Sequence, residues 1–373
     1  MKYPEVLSFN DLLPHLAQFD AIIDVRSPSE YAEDHLPGAI NCPVLDDEQR
    51  VRVGTIYKQV SSFEAKKIGA ALIAKNIAQH IEERFLDKPR EWKPLIYCWR
   101  GGNRSGAMAL ILAKIGWPVA QLEGGYKNFR NHVNEVLPQF APRFQWRVIC
   151  GTTGSGKSRL LTSLASQGAQ VLDLEQLAAH RGSVLGDLPS QPQPSQKKFE
   201  SSIWQTLRNF DSTLPVYVEA ESKKVGKLRV PEAIMEEMRK SPCINLRLPT
   251  EQRVELLMDD YAHFIEDTDN LNRQLDFLHV LHGKEKIKDW KQLADKGQIG
   301  ELVRELLEKH YDPAYLRSIN RNFLQSENAL LIDQTGISHE DFLQSTKVIL
   351  QSDLALAKNT AGMGNPTSAA SKT

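Results

Sequence analysis

The chain has 373 residues, of which 41% are hydrophobic and 25% are charged, and its formal net charge is −1. This length is too great for one ordinary domain core and predicts two to three domains. The composition is that of a globular protein, and a charge near zero excludes a uniformly basic nucleic-acid binder while allowing a local basic groove. No apolar run approaches the ~18 residues that a membrane span needs, so we expect no membrane partner.

The ends and cysteines of the chain indicate its compartment. The first twenty residues contain neither a basic segment nor an apolar core, so we expect no signal peptide. The four cysteines lie far apart without a CxxC pair, which argues against a disulfide framework or a zinc site. Together these features predict a reducing, cytoplasmic location.

The first part of the chain alternates short apolar runs with helical patterns. Runs over 21–25 and 94–98 are typical of buried parallel strands. Apolar residues recur at helical spacing over 67–85, and a second helix is expected over 105–115. This order predicts an α/β domain over 1–138.

The sequence CWRGGNRS over 98–105 is the main chemical feature of this domain. Cys98 ends a strand and precedes two glycines, two arginines and a helix start, so backbone N–H groups and positive charge converge on it. Such surroundings lower a thiol pKa, make the thiolate a nucleophile and bind a tetrahedral anion. We therefore predict Cys98, Arg104 and Arg100 as catalytic residues. The alternative is a buried structural cysteine.

Prolines over 137–142 are expected to interrupt regular structure and mark a domain boundary. Five further apolar runs predict a second parallel sheet: 146–150, 170–173, 216–219, 243–248 and 329–333. Helical patterns fill the chain between the last two runs. We expect a P-loop domain over 144–356 with a helical insertion at about 251–320, a surface loop over 183–195 and a disordered tail over 357–373.

A glycine-rich motif follows the first strand of this second domain. It fits G-x-x-x-x-G-K-[ST] without a mismatch and comprises Gly151, Thr152, Thr153, Gly154, Ser155, Gly156, Lys157 and Ser158. The glycines let backbone N–H groups surround a di- or triphosphate, while the following helix N-terminus and Lys157 supply positive charge. Ser158 is the expected ligand if Mg²⁺ is used. The alternative is a strand–helix turn that binds nothing.

Several polar residues are candidate partners of this motif. Four of them follow strand ends, namely Asp173, Glu219, Glu221 and Ser222. Carboxylates at these places would face a metal ion, and a helix cap or surface ion pair explains them equally well. A basic cluster comes next, formed by Lys223, Lys224, Lys227 and Arg229. It is a candidate for contact with a polyanionic substrate, with a solvated surface as the alternative.

Motifs around the cysteine loop are similar to those of rhodanese domains. DVRSPSEY over 24–31 and HLPGAIN over 35–41 look like their opening signature, and EGGYKNFR over 123–130 looks like their closing one. The resemblance implies that Cys98 opens the active-site loop. From Cys98 to Arg104 the spacing is C-x5-R instead of the usual C-x4-R, and this wider loop argues against plain sulfur transfer from thiosulfate.

The cysteine loop, the P-loop and EAES over 219–222, in that order, resemble the bacterial tRNA 2-selenouridine synthase family over about residues 10–350. The resemblance implies that wobble 2-thiouridine in tRNA exchanges sulfur for selenium from selenophosphate, through a geranylated intermediate made from geranyl diphosphate. It implies no tightly bound cofactor. On this hypothesis the basic cluster contacts tRNA, the P-loop holds the leaving diphosphate, and the Cys98 thiolate attacks selenium, expels phosphate and becomes a selanylcysteine.

Three other functions are compatible with these motifs. A P-loop kinase with a regulatory rhodanese domain predicts ATP turnover that needs neither tRNA nor Cys98. A tRNA-directed sulfurtransferase predicts a persulfide on Cys98 and adenylation of the uridine by ATP. A non-catalytic scaffold predicts loss of the active-site cysteine, which this sequence retains.

Overall fold

A computed structural model describes residues 3–183, 186–188, 191–262 and 267–362 of the chain. Two compact units make up the chain. Unit 1 comprises Met1–Gln139 and Pro194–Arg208, and unit 2 comprises Phe140–Gln193 and Asn209–Thr373. Among the described residues, no helix is both long and apolar enough to cross a lipid bilayer.

Unit 1 is built on a parallel sheet of five strands. They are β1 (Glu5–Leu7), β2 (Ala21–Asp24), β3 (Ala39–Asn41), β4 (Pro94–Tyr97) and β5 (Ala120–Leu122). The order β1-β5-β4-β2-β3 makes β4 the central strand, and all its residues are buried. The strands predicted over 21–25 and 94–98 are confirmed. The other three have only three residues each, too few for an apolar run to reveal them.

Helices connect these strands. The α-helices are Phe9–Leu12, Pro28–Glu33, Asp47–Gln59, Ser62–His80, Asn103–Ile115 and Gly125–Phe140, with a 3-10 helix at Leu13–Gln18 and a π-helix at Ile81–Phe85. The helix predicted over 67–85 forms and begins earlier, because Ser61 caps it by accepting a hydrogen bond from the Glu64 N–H. The interruption predicted at Pro138 is wrong, since the last helix includes this proline in its final turns and is anchored by the buried Val133 and Leu137.

One helix of unit 1 comes from much later in the chain. Gln196–Arg208 lies within the range 144–356 that the sequence assigns to the P-loop domain, yet it belongs to unit 1. Its buried residues are Phe199, Ser201, Ile203, Trp204 and Leu207. The Trp204 ring lies 5.6 Å from the ring of Phe129, edge to face. This apolar face explains the placement, because an amphipathic helix must bury that face against a core.

A buried polar network joins the same helix to the sheet. The Ser201 and Tyr126 hydroxyls both donate to Oδ2 of Asp34, at 2.9 and 2.8 Å. The Asp34 carbonyl accepts from Arg26 at 2.5 Å, and the Arg26 guanidinium pairs with Asp24 at 2.6 Å. Every charge in this network has a partner, which makes its burial tolerable.

Unit 2 contains a second parallel sheet of five strands. They are β6 (Gln145–Cys150), β7 (Gln170–Leu172), β8 (Pro215–Glu219), β11 (Cys243–Arg247) and β12 (Leu330–Asp333), and a separate antiparallel hairpin is formed by β9 (Lys224–Val225) and β10 (Leu228–Arg229). The sheet order is β12-β11-β6-β8-β7, so β6 is central. All five predicted runs form strands here, which confirms the predicted α/β class. The hairpin was not predicted because its strands have two residues each.

The remaining helices belong to unit 2. They are Lys157–Ser166, Leu174–Ala178, Glu232–Lys240, Thr250–Asp260, Thr268–Asp276, His279–Asp295, Ile299–Leu306, Asp312–Asn322 and His339–Gly362, with 3-10 helices at Ala141–Arg143 and Ser326–Asn328 and a π-helix at Leu307–Tyr311. The chain is thus helical between β11 and β12, as the fold class predicts. This insertion has its own apolar core, which includes Leu275, Trp290 and Leu302.

Two predicted irregular segments lie partly outside the described residues. The last helix continues to Gly362 and so enters the range 357–373 for which the sequence predicts disorder. Residues 363–373 lie outside the described part of the chain. The loop predicted over 183–195 contains a bridge between Leu188 and Gln191, and four of its residues are likewise not described.

Replacing Trp204 with alanine tests the placement of the helix Gln196–Arg208. We expect the unfolding free energy of unit 1 to fall by about 3–5 kcal/mol, because a fully buried indole is removed and leaves a cavity. Urea denaturation followed by far-UV circular dichroism measures this change. The exposed Gln205 on the same helix provides the matched alanine control, and equal small effects of both substitutions would contradict the packing described.

Candidate functional site

Cys98 stands at the carboxyl end of the central strand β4, where the chain turns into the helix Asn103–Ile115. Its side chain is only 3% exposed. The Ser105 hydroxyl donates a hydrogen bond to Cys98 Sγ at 3.2 Å, and the backbone N–H groups of Ser105 and Arg100 also donate to it. Three donors therefore converge on one sulfur atom.

The electrostatic balance at Cys98 favours the thiolate. Burial opposes ionisation, but the hydrogen bonds from Ser105 and the Arg100 backbone, with the charge of Arg104, outweigh it and lower the pKa of the thiol. Cys42 in the same unit shows the opposite balance, because burial raises its pKa. A thiol with a lowered pKa among hydrogen-bond donors has the properties of a nucleophile.

The two arginines of the loop have different surroundings. Arg104 forms a two-pronged ion pair with Glu30, at 2.6 and 3.2 Å, whereas the Arg100 side chain is exposed. The sequence predicts both as ligands of an anion. In the structure Arg104 already holds a carboxylate, and it acts on Cys98 through its charge. The role of Glu30 could not be predicted from the sequence, because this residue lies 74 residues from its partner Arg104.

The shape of the cysteine loop is fixed from neighbouring strand β5. Gln121 Nε2 donates to the Gly101 carbonyl at 2.8 Å and to the Ser105 hydroxyl at 3.0 Å. Gly101 has φ of 65°, and a Cβ atom there would come within 2.6 Å of the Leu122 carbonyl oxygen. Only glycine fits this position without moving backbone. The donors around Cys98 are thus held in place before any substrate binds.

The phosphate-binding motif 151–158 follows the central strand β6 and leads into the helix Lys157–Ser166. Lys157 Nζ donates to the Gly151 carbonyl at 2.8 Å, so the lysine folds back along its own loop. Gly156 has φ of 87°, and a Cβ atom there would meet the Phe342 ring at 2.5 Å. The motif thus lies between a strand, Gln145–Cys150, and a helix, Lys157–Ser166, as the sequence predicts.

A buried arginine that the sequence did not single out supports this loop. Arg253 is 4% exposed and donates from Nε and Nη2 to the Thr153 carbonyl, at 2.9 and 2.7 Å. It also pairs with Asp312 at 2.6 Å. Arg253 lies a hundred residues from Thr153, on an amphipathic helix with no motif around it. No local signal in the sequence could have identified it.

Carboxylates gather beside Ser158. The Ser158 hydroxyl donates at 3.0 Å to Glu175, which the sequence did not select. Glu219 accepts the Glu175 N–H at 2.8 Å, and this links the end of β8 to the site. Asp173 instead caps the following helix, since it accepts the Gln176 N–H at 2.7 Å. Asp173 thus caps a helix, as one of the alternatives given for it states, and it also lies in the wall of the cleft around the phosphate loop.

Burial raises the pKa of two of these carboxyl groups. Burial, reinforced by the charge of Asp173, raises the pKa of Glu219 well above its usual range. Burial and the nearby charge of Glu175 raise the pKa of Glu221 to about 8. Ser222 is exposed and donates its hydroxyl to the Lys224 carbonyl at 2.6 Å. Glu221 and Ser222 thus line the cleft around the phosphate loop, and Glu219 reaches it through its hydrogen bond with Glu175.

The basic cluster lies on the hairpin of β9 and β10, directly after Glu221. All four of its side chains are exposed: Lys223, Lys224, Lys227 and Arg229. Lys224 and Arg229 lie opposite each other across the hairpin, and Lys223 pairs with Glu232 at 3.2 Å. Contact of this cluster with tRNA stays a prediction.

A cleft of about 570 Å³ in unit 2 collects the phosphate loop and its partners. Its wall includes Lys157, Ser158, Glu175, Glu221 and Tyr315. No group of three or more His, Cys, Asp or Glu side chains in the described ranges is arranged to hold a metal ion by itself. The cleft therefore combines a loop shaped for phosphate with hydroxyl and carboxyl oxygens that could act as metal ligands at one side.

Comparisons with known proteins agree on both units. The rhodanese-like domain family matches residues 8–132, and the family described as tRNA 2-selenouridine synthase AAA domain matches residues 144–277. The chain is 36% identical to a tRNA 2-selenouridine synthase of Nitrosomonas europaea, over 70% of this chain and 68% of the relative. It is 32% identical to one of Sulfurovum sp. strain NBC37-1, over 81% and 89% respectively. It is 28% identical to a tRNA 2-selenouridine synthase of Bdellovibrio bacteriovorus, over 87% of this chain and 94% of the relative.

The raised pKa of Glu221 predicts how phosphate binding depends on pH. Below pH 8 this carboxyl is neutral, and above pH 8 it places a negative charge beside Lys157. We expect the affinity for inorganic pyrophosphate to fall by about tenfold as Glu221 ionises. Isothermal titration calorimetry on both sides of pH 8 measures this. The Glu221→Gln variant has no carboxyl group at this position, so its pH profile shows the effect of pyrophosphate ionisation alone. Identical pH profiles for the wild type and this variant would refute the prediction.

Proposed function

The chain belongs to the tRNA 2-selenouridine synthase family, and from this premise we propose how its two sites divide the reaction. The enzyme replaces the sulfur of 2-thiouridine in tRNA with selenium. We assign an alkylation that uses geranyl diphosphate to the P-loop, and the selenium step, which uses selenophosphate, to Cys98. The observation that carries this division is that one chain holds both an activated thiol and a phosphate cradle.

The P-loop suits the departure of a diphosphate. In the alkylation, the sulfur of 2-thiouridine attacks C1 of geranyl diphosphate, and the C–O bond breaks with its electron pair on the diphosphate. Negative charge grows on the leaving oxygens, where Lys157 and the loop N–H groups stabilise it. Lys157 lies within its own loop, bonded to the Gly151 carbonyl. Release from that carbonyl frees the ammonium group for the phosphates.

Oxygen donors beside the loop fit Mg²⁺. The Ser158 hydroxyl and the Glu175 carboxylate are 3.0 Å apart, and Glu219 Oε2 is buried with no hydrogen-bond partner among the described residues. Mg²⁺ commonly combines one or two protein ligands with substrate phosphate oxygens. Ser158 and Glu175 would hold it, and the ion would neutralise phosphate charge.

Alkylation prepares the base for the second step. It converts the C2–sulfur double bond of 2-thiouridine into a thioether. A thiolate such as geranylthiolate then leaves C2 more readily than sulfide would. The order of the two steps follows from this chemistry, with geranylation first and selenium second.

The electron balance of the reaction determines which atom of selenophosphate the Cys98 thiolate attacks. Attack on selenium, as in the hypothesis from sequence, would leave the P–Se electron pair on phosphorus and release phosphite instead of phosphate. We therefore assign the attack of Cys98 Sγ to phosphorus. An S–P bond forms, the P–Se bond breaks with both electrons on selenium, and water later releases phosphate from the cysteine. Selenium bonds to C2 as geranylthiolate leaves and takes up a proton.

The surroundings of Cys98 support this role. The hydrogen bonds from Ser105 and the Arg100 backbone lower the pKa of its thiol, which makes the nucleophilic thiolate easier to form. The loop N–H groups and the positive field of Arg104 suit a tetrahedral anion, and the exposed Arg100 lies at the same loop. For tRNA, the exposed hairpin that follows Glu221 supplies cations for phosphate contacts. A kinase or sulfurtransferase would instead require ATP.

Two substitutions separate the half-reactions. Cys98→Ala should abolish selenium incorporation and leave geranylation intact, because only the thiol is lost. Lys157→Ala should slow geranylation by about 10²–10³-fold, because the charge on the leaving diphosphate loses its cation. Nucleoside mass spectrometry of 2-thiouridine tRNA, incubated with selenophosphate and geranyl diphosphate, distinguishes the products.

Matched controls come from the same chain. Cys42→Ala removes a thiol of raised pKa, and Lys240→Ala removes an exposed lysine away from the cleft. Both should retain both activities. Selenium incorporation by Cys98→Ala at the wild-type rate would contradict the division of labour.

A further inference from the structure

An apolar cavity lies within the helical insertion of unit 2. Its volume is about 70 Å³, roughly half that of the ~150 Å³ apolar cavity that holds benzene, so it has room for a few carbons of a hydrocarbon chain. Leucine, isoleucine, valine and methionine side chains form most of its wall. Cavities of this composition stay dry and accept hydrocarbon groups. Such a space inside a small helical core loses packing energy unless something fills it.

The cavity adjoins the phosphate cleft. Five residues line both spaces, namely Thr153, Ser183, Leu257, Tyr261 and Tyr311. Thr153 is itself part of the phosphate-binding loop, and Arg253 holds its carbonyl. A ligand with phosphates in the loop therefore has the cavity directly beside it.

The wall of the cavity offers little to a nucleotide base. Its polar groups are Thr153, Ser183 and the two tyrosines, and the Ser183 side chain is hydrogen-bonded to both Tyr261 and Tyr311. Burial raises the pKa of both tyrosines, so they are neutral. A purine needs free donors and acceptors along its edge, whereas a hydrocarbon needs none.

We infer that this cavity receives the end of the hydrocarbon tail of the diphosphate ester whose phosphates occupy the P-loop, while the nearer part of the tail lies in the adjoining cleft. The inference rests on the alkylation step of the proposed function and adds the residues that select the tail. Those that line the cavity without reaching the cleft form its inner end, among them Leu271, Leu302 and Leu306. All three are buried in the core of the insertion. They set the longest tail that the enzyme accepts.

Binding to the full-length protein separates this inference from the proposed function. We expect geranyl diphosphate to bind about 100-fold more tightly than inorganic pyrophosphate, with a more negative heat-capacity change, because the tail leaves water. Isothermal titration calorimetry at several temperatures measures both quantities. Equal affinities would overturn the inference. Tighter binding without alkylation of 2-thiouridine tRNA would instead overturn the proposed function and leave the cavity assignment standing.

Substitutions at Leu302 test the selection of tail length. Leu302→Phe should fill the inner end and lower the affinity for geranyl diphosphate at least about tenfold, with pyrophosphate affinity unchanged and five-carbon dimethylallyl diphosphate less affected. Leu302→Ala should enlarge the cavity and raise the farnesyl-to-geranyl affinity ratio by a similar factor. Leu302→Met, which conserves volume, is the control and should keep the wild-type ranking.

Pyrophosphate affinity and far-UV circular dichroism report whether each variant is folded. If Leu302→Phe fails to fold, the ratio measured for Leu302→Ala still decides the question. An unchanged ranking of the three prenyl diphosphates in every folded variant would overturn the assignment of the cavity.

Discussion

Both candidate sites depend on one constraint, the fixed position of the carboxyl end of a central parallel strand. β4 and β6 each have two neighbours on either side in their sheets, so neither strand can shift without disrupting a whole core. Each runs directly into a loop and a helix N-terminus, where unpaired backbone N–H groups meet. Cys98 and the motif 151–158 stand at these points. The same geometry therefore suits a thiolate in unit 1 and, on the proposed function, a phosphate group in unit 2.

The two sites treat burial in opposite ways, and the difference suits their chemistry. At Cys98, hydrogen-bond donors and the charge of Arg104 outweigh burial, so a negative charge is stabilised. Beside the phosphate loop, burial prevails at Glu219 and Glu221 and raises the pKa of both carboxyl groups, that of Glu221 to about 8. A neutral carboxyl group does not repel a bound diphosphate. The Cys98 site thus stabilises a negative charge on the protein, whereas the phosphate cleft suits a negatively charged ligand.

The sequence predicts the residues whose chemistry is encoded locally. The cysteine loop and the P-loop each lie within eight consecutive residues, and the long apolar runs became the predicted strands. It does not indicate Glu30, Glu175 or Arg253, because sheet order and not chain order brings them to the sites. The helix Gln196–Arg208 was assigned by its position in the chain, although its apolar face packs in unit 1. The cavity is likewise assembled from several helices, so no single run reveals it.

The central claim is that the two sites perform separable half-reactions, and a bypass of the first step tests it most directly. The Lys157→Ala enzyme would be given tRNA that already carries geranylated 2-thiouridine, together with selenophosphate. We predict conversion to 2-selenouridine at close to the wild-type rate, measured by nucleoside mass spectrometry, because Cys98 and its loop are untouched. Failure of this variant to convert the geranylated tRNA, while the wild type succeeds, would show that the P-loop takes part in the selenium step and would contradict the account.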